Sequence, residues 1–126
     1  MSAETNKAIV LRMIEEMNAG RLEALDAHPA MARMKPFFQQ MGAAFPDVST
    51  VVREALAEGE WVACRMMTRG TQRGDWMGVP ATGRSAEWEV IATYRLDDGK
   101  IVEQHGQADN ISLMRQLGVL PAGVGA

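Results

Sequence analysis

The chain has 126 residues, 47% of them hydrophobic and 23% charged, with a net charge of −3. That length suffices for a single domain spanning residues 1–126 with a core of its own, without disulfide or metal staples. The acidic balance offers no basic field for a phosphate backbone, so nucleic acid is not an expected partner.

Cys64 is the only cysteine, which excludes an internal disulfide and fits a reduced, cytoplasmic setting. It sits in an apolar stretch, as a buried and inert thiol would. The polar start from Met1 to Lys7 lacks the apolar core of a secretory signal, and no run is long enough to cross a bilayer.

Ser2 or Thr5 suits the cap of a first helix, along which Ile9, Val10, Met13, Ile14 and Met17 recur at helical spacing. Asn18-Ala19-Gly20 ends it, and Arg21 to Ala27 reads as a short second helix. His28-Pro29 breaks the pattern. Ala30 to Phe45 reads as a further helix with Pro36 near its start or kinking it, and Phe37, Phe38, Met41 and Phe45 form its apolar side.

The remainder reads mostly as strand. Val48 to Ala57 leads through Glu58-Gly59-Glu60 to Trp61–Thr71, and a long glycine-punctuated loop over 73–84 precedes Ser85–Leu96. Asp97-Asp98-Gly99 is a hairpin turn into Lys100–Ala108. Asn110 is placed to cap a closing helix over Ile111–Leu117, after which Pro121 to Ala126 is a small-residue tail expected to fray. Helices first and strands later, joined by short turns, predict an α+β fold with helices on one face of an antiparallel sheet.

Strand alternation sends His105, Gln107 and Asp109 to one face. Two titratable groups and an amide on one surface of a strand suited to burial need partners, a ligand or solvent. On the preceding strand Trp88, Val90, Ala92 and Tyr94 share a face, suited to the concave side of a sheet, where rings shape a pocket or simply pack a core. Trp76 and Met77 in the glycine-flanked loop fit either a lid or a hydrophobic plug. The ten methionines fit core filling, or a malleable pocket to which Met66, Met67 and Met77 lend themselves. No His/Cys/carboxylate cluster has the spacing of metal ligands, so neither metal nor phosphate-loop cofactor is expected.

Ordered fragments over nearly the whole chain carry a family likeness. They are Asn6-Lys7 through Glu15-Glu16 with Asn18-Ala19-Gly20, Phe45-Pro46-Asp47, Glu58-Gly59-Glu60-Trp61-Val62-Ala63, Gly70-Thr71 with Gly74-Asp75, Gly78 to Arg84, Asp98 to Glu103, and Leu113 to Gly118. In these the sequence resembles the SnoaL-like polyketide cyclase or ester cyclase family of the nuclear transport factor 2-like superfamily. The resemblance implies a curved antiparallel sheet forming a cone around an apolar pocket, plugged by N-terminal helices. It implies a cofactor-free intramolecular aldol cyclisation, with the catalytic aspartate after the last strand, the position of Asp109. Relatives commonly pair as homodimers through the sheet.

The chain departs from that pattern in three places. Gln104-His105 stands where His-Trp is frequent, Gln72 where a histidine often follows Gly-Thr, and Ala92 where a polar side chain is common. The usual first strand pair is largely missing around His28 to Lys35. That wall is absent, supplied by a partner, or replaced by the Met31–Met34 turn.

The expected chemistry is then acid/base work on an apolar carbonyl compound, by cyclisation, isomerisation or dehydration. Asp109 acts as base or acid, and His105 shuttles the proton or donates to the oxyanion. Gln107, Trp88, Tyr94, Trp76, Met77, Met66, Gln72 and Phe38 would contact substrate. Asp109 is equally suited to capping the last helix, and the two roles are compatible. His105 alone also fits a hydrogen-bonded wall histidine. A second reading is a binding module that holds an apolar molecule or a protein in the same cone. A third is epoxide hydrolysis through Asp75 with Arg73 or Arg84, a set used elsewhere in the superfamily.

Overall fold

The computed structural model describes residues 1–120; the tail expected to fray, Pro121 to Ala126, lies outside the described residues. Helix α1 (Ala3–Asn18) is capped by Ser2, whose side chain accepts the Thr5 N–H at 3.1 Å. Its buried stripe of Val10, Met13 and Ile14 follows the helical period. The short second helix read over Arg21–Ala27 is a 3₁₀ helix covering Leu22–Ala27. The single helix predicted over Ala30–Phe45 is two: α2 (Pro29–Ala32) and α3 (Lys35–Ala44). Pro36 explains the break, because its ring lacks an N–H to donate and is tolerated in the first turn of a new helix.

Four strands follow: β1 (Ser49–Glu58), β2 (Trp61–Thr71), β3 (Ser85–Asp97) and β4 (Lys100–Ala108), and α4 (Asn110–Gln116) closes the described chain. The strands form one curved antiparallel sheet in the order β1-β2-β3-β4. Asp98 and Gly99, both at positive φ (50° and 75°), make the β3–β4 turn, the backbone that two-residue hairpins require. No helix among the described residues is long and apolar enough to cross a membrane.

The concave face carries Val62, Cys64 and Met66 of β2 and Ala92, Tyr94 and Leu96 of β3, which pack against Val10, Met13, Ile14, Leu25 and Met31. A second cluster joins Ala44, Phe45, Trp76, Ala86, Trp88, Leu113 and Leu117 at the other end of the sheet. The first strand pair expected of the family is replaced by helix. Met31 is fully buried, and α2 packs on β4.

His28, before α2, ties that replacement to the sheet. Its ring is buried, and Nδ1 accepts the Ile101 N–H at 3.1 Å. Burial lowers its pKa, because the interior disfavours the imidazolium. The folded value lies below the unfolded one, so the unfolded chain takes up the proton first. The stabilisation is complete above the ordinary histidine value of about 6.5 and is lost as pH falls below it toward the lowered folded value. Thermal melts from pH 8 to 5 are expected to show this decline in the wild type and not in His28→Phe. At pH 8 that variant is less stable by about 1–3 kcal/mol, the cost of leaving the Ile101 N–H unpaired, and the gap narrows toward pH 5. Parallel profiles would assign the pH dependence to another group.

Candidate functional site

Between the concave face and the helices lies a cavity of about 220 Å³. Its roof is α1 and α3, contributing Ile14, Met17, Phe37, Phe38 and Met41. Its floor is Met66, Thr68, Val90, Ala92 and Tyr94, and Gln104, Gly106 and Ala108 of β4 complete one side. Five methionines line it: Met17, Met31, Met34, Met41 and Met66. The adaptable apolar pocket expected from the methionine content is therefore present, built largely from helical methionines. Of the three first suggested only Met66 takes part.

Polar groups in the lining are few and mostly satisfied. Asn18 clamps the Thr50 backbone, donating from Nδ2 to its carbonyl at 2.8 Å and accepting its N–H at 2.9 Å. The Thr50 and Thr68 hydroxyls share a 2.9 Å hydrogen bond. Tyr94, Gln104 and the exposed Gln107 differ: each lines the cavity, and none of the three side chains has a hydrogen-bond partner among the described residues. No Asp, Glu, His, Lys or Arg is among the lining residues.

The convergence of His105 and Asp109 on the pocket does not occur. His105 faces the convex side, 65% exposed. Its Nε2 lies 2.6 Å from Glu103 Oε2, and its ring stacks on Trp61. Arg95 holds the other carboxylate oxygen of Glu103 at 3.1 Å. The bonds from His105 and Arg95 hold the Glu103 carboxyl below its usual range.

A β-bulge explains the reversal. Leu96 pairs with Ile101, but Arg95 pairs with Glu103, so Val102 is an extra residue. A regular hairpin would set Ala92 opposite His105, on the concave face. The bulge sets Ala92 opposite Gly106 and Thr93 opposite His105, turning every later side chain of β4 over.

Asp109 is exposed and caps α4, its Oδ1 accepting the Ser112 N–H at 3.0 Å. It directly follows Ala108, which lines the cavity, and its N–H bonds to Glu89 O at 2.9 Å. Its place is thus the edge of the site, outside the lining. Gln107 contributes to the lining while itself exposed.

The other predicted contact residues divide. Tyr94, Met66 and Phe38 line the cavity. Trp88 and Trp76 do not. They are buried in the second cluster, where Phe45 meets Trp76 and Trp88 with ring centroids 5.9 and 5.3 Å apart. Trp76 is therefore a plug, and its edge contact with Phe37 at 5.5 Å props α3 from behind. Met77 is exposed on the loop at φ 49°.

Gln72 is fully buried and staples that loop. Its Nε2 donates to Gly74 O and Val79 O, and its Oε1 accepts from Thr82 N and Oγ1. Every polar atom of its side chain is used, so none is free for a substrate. Asp75, Arg73 and Arg84 are exposed, with no ion pair between them among the described residues and none of the three in the lining. The carboxylate–arginine set expected for epoxide hydrolysis is not assembled at the cavity.

Comparison with known proteins agrees with this shape. A family model described as SnoaL-like polyketide cyclase matches residues 10–117. The aklanonic acid methyl ester cyclase DnrD of Streptomyces peucetius is 27% identical over 128 aligned positions, covering 87% of this chain and 88% of its own. The crystal structure of AclR from Streptomyces galilaeus, a candidate hydroxylase, superposes with a TM-score of 0.87 at 28% identity, over 95% of this chain and 100% of AclR. IdmH of Streptomyces antibioticus, a candidate polyketide cyclase, gives 0.80 at 29% identity, over 90% of this chain and 99% of IdmH.

Proposed function

The chain belongs to the SnoaL-like polyketide cyclase family, and on that premise we infer a cyclase-like enzyme acting on a small or medium apolar carbonyl compound. The carrying observation is the apolar cavity beneath the curved sheet, with the end of β4 delivering Asp109 to its edge. The reaction best suited to these groups is an intramolecular aldol closure without a cofactor. Asp109 removes a proton beside one carbonyl. The resulting enolate carbon bonds to a second carbonyl carbon of the same molecule, and the alkoxide so formed takes the proton back. One carboxylate oxygen serves the helix cap, and Oδ2 has no hydrogen-bond donor among the described residues.

The volume of about 220 Å³ is below the ~300–1,000 Å³ of drug-sized sites. It favours a compact ring system, or a longer molecule whose end projects past Asp109. Fold alone does not set the reaction. The second reading, a module that binds without turnover, is favoured by the lack of any carboxylate or imidazole in the lining itself. Incubation with aklanonic acid methyl ester and with small diketones separates the two readings. Ring-closed product supports the enzyme, and saturable binding without product supports the module.

We also propose a homodimer through the convex face. Val51, Leu56, Trp61 and Ile91 are exposed there, among the ion pairs of Arg65 with Glu54 and Glu89. A two-fold pairing would bury this mixed surface against itself. Sedimentation is expected to give a dimer for the wild type and a monomer for Ile91→Glu, and a wild-type monomer at high concentration would remove the interface.

A further inference from the structure

Tyr94 and Gln104 are direct cross-strand neighbours on the concave face. Tyr94 is 4% exposed; its hydroxyl has no hydrogen-bond partner among the described residues and is accessible from the cavity, where a ligand oxygen can accept from it. Burial, with a smaller contribution from Cys64, raises its pKa, so it is a neutral O–H donor at any physiological pH.

Gly106 gives the Gln104 amide its position. A Cβ on Gly106 would lie 2.8 Å from Gln104 Nε2. No positive φ demands glycine there, so the hydrogen at that position is explained by the room it leaves for the folded-back carboxamide. Of the rest of the floor, Ala92, Val90 and Met66 offer no polar side chain, and the Thr68 hydroxyl is already bonded to that of Thr50.

We propose that Tyr94 and Gln104 form an oxygen-anchoring pair that selects a neutral ketone or ester and rejects the corresponding carboxylate. This rests on the reading of the cavity as the substrate site and names the class of substrate. The phenol O–H and the amide N–H both donate to one carbonyl oxygen of the ligand. The same two donors face charge that develops on that oxygen when an enolate forms. A carboxylate would enter a lining with no cation to compensate it and would lose its hydration for two neutral donors.

The test uses three probes of one shape: 2-acetylnaphthalene, 2-isopropylnaphthalene and 2-naphthoate. Binding is measured by calorimetry on the full chain, with Tyr94→Phe and Gly106→Ala as variants. Gly106→Ala is expected to fold, because the crowded atom is the far end of a flexible side chain, while the amide is displaced. In the wild type the ketone should bind about fivefold to tenfold tighter than the hydrocarbon. It should bind at least about a hundredfold tighter than the carboxylate. Each variant should bring the ketone toward the hydrocarbon and leave the hydrocarbon's affinity in place. Equal wild-type affinity for ketone and hydrocarbon, or naphthoate binding as well as the ketone, would overturn the anchoring pair while leaving the apolar cavity as a binding site. Binding of neither neutral probe would overturn the cavity reading itself, and the pair with it.

Discussion

Asp109→Asn is expected to lower ring-closing turnover by about 10²–10⁴-fold, the usual contribution of a positioned acid/base group, with little change in stability. The substitution suits this site because Asp109 has two roles. Its Oδ1 caps α4 through the Ser112 N–H, and asparagine caps a helix about as well as aspartate. The amide keeps the cap and loses the base. Asp109→Ala loses both, and should melt lower by the ~0.5–2 kcal/mol of a lost cap. If the activity losses followed stability, with Asn close to wild type and Ala impaired, Asp109 would be a cap only. If Asn abolished turnover with the melting temperature held, the proton transfer would belong to its carboxylate. Equal turnover in wild type and Asp109→Asn would move the base elsewhere, and the binding module would then account better for a cavity with no charged lining.

Most of the architecture was legible in the amino-acid order. Alternation marked β2 and β4 with the bounds observed, and Asp98-Gly99 marked the hairpin turn from β3 into β4. The concave assignment of Tyr94 and Ala92 also holds. What could not be read was parity along β4. Ile101 and Val102 are both apolar, so either can carry the strand's inward face, and the bulge at Val102 decides which set of later residues follows. That one extra residue exchanges His105 for Gln104 at the cavity.

The helical share of the lining was obscured for a different reason. Met31 and Met34 lie beside the break introduced by Pro36, and a methionine shows no preference between core and pocket. Gln72 misled because its type suits a ligand, whereas four hydrogen bonds to its own loop exhaust it. Gly106 carried the one local signal of the Gln104 site: a glycine inside a strand often marks a close approach.

Phe45→Ala is expected to cost about 3–5 kcal/mol, the range for emptying a large buried aromatic site. Phe45 is fully buried, meets Trp76 and Trp88, and ends α3. Its surroundings cannot collapse easily, because the space is already shaped by glycine: a Cβ on Gly70 would come within 2.9 Å of Phe45 Cβ and 3.2 Å of Cδ1. The first of these atoms is fixed to the backbone, so Gly70→Ala also strains the site, by about 1–3 kcal/mol. Phe37 is the internal control. It is the same residue type on the same helix and also touches Trp76, but it is 44% exposed. Phe37→Ala removes much less buried surface and should cost about 1 kcal/mol. With about 2–8 °C of melting temperature per kcal/mol for chains near this size, thermal unfolding resolves the two variants well. The difference follows from the division of labour between the two rings, one filling the second cluster and the other covering the cavity. If Phe45→Ala melted no lower than Phe37→Ala, the second cluster would not be what holds α3 and the 73–84 loop over the sheet.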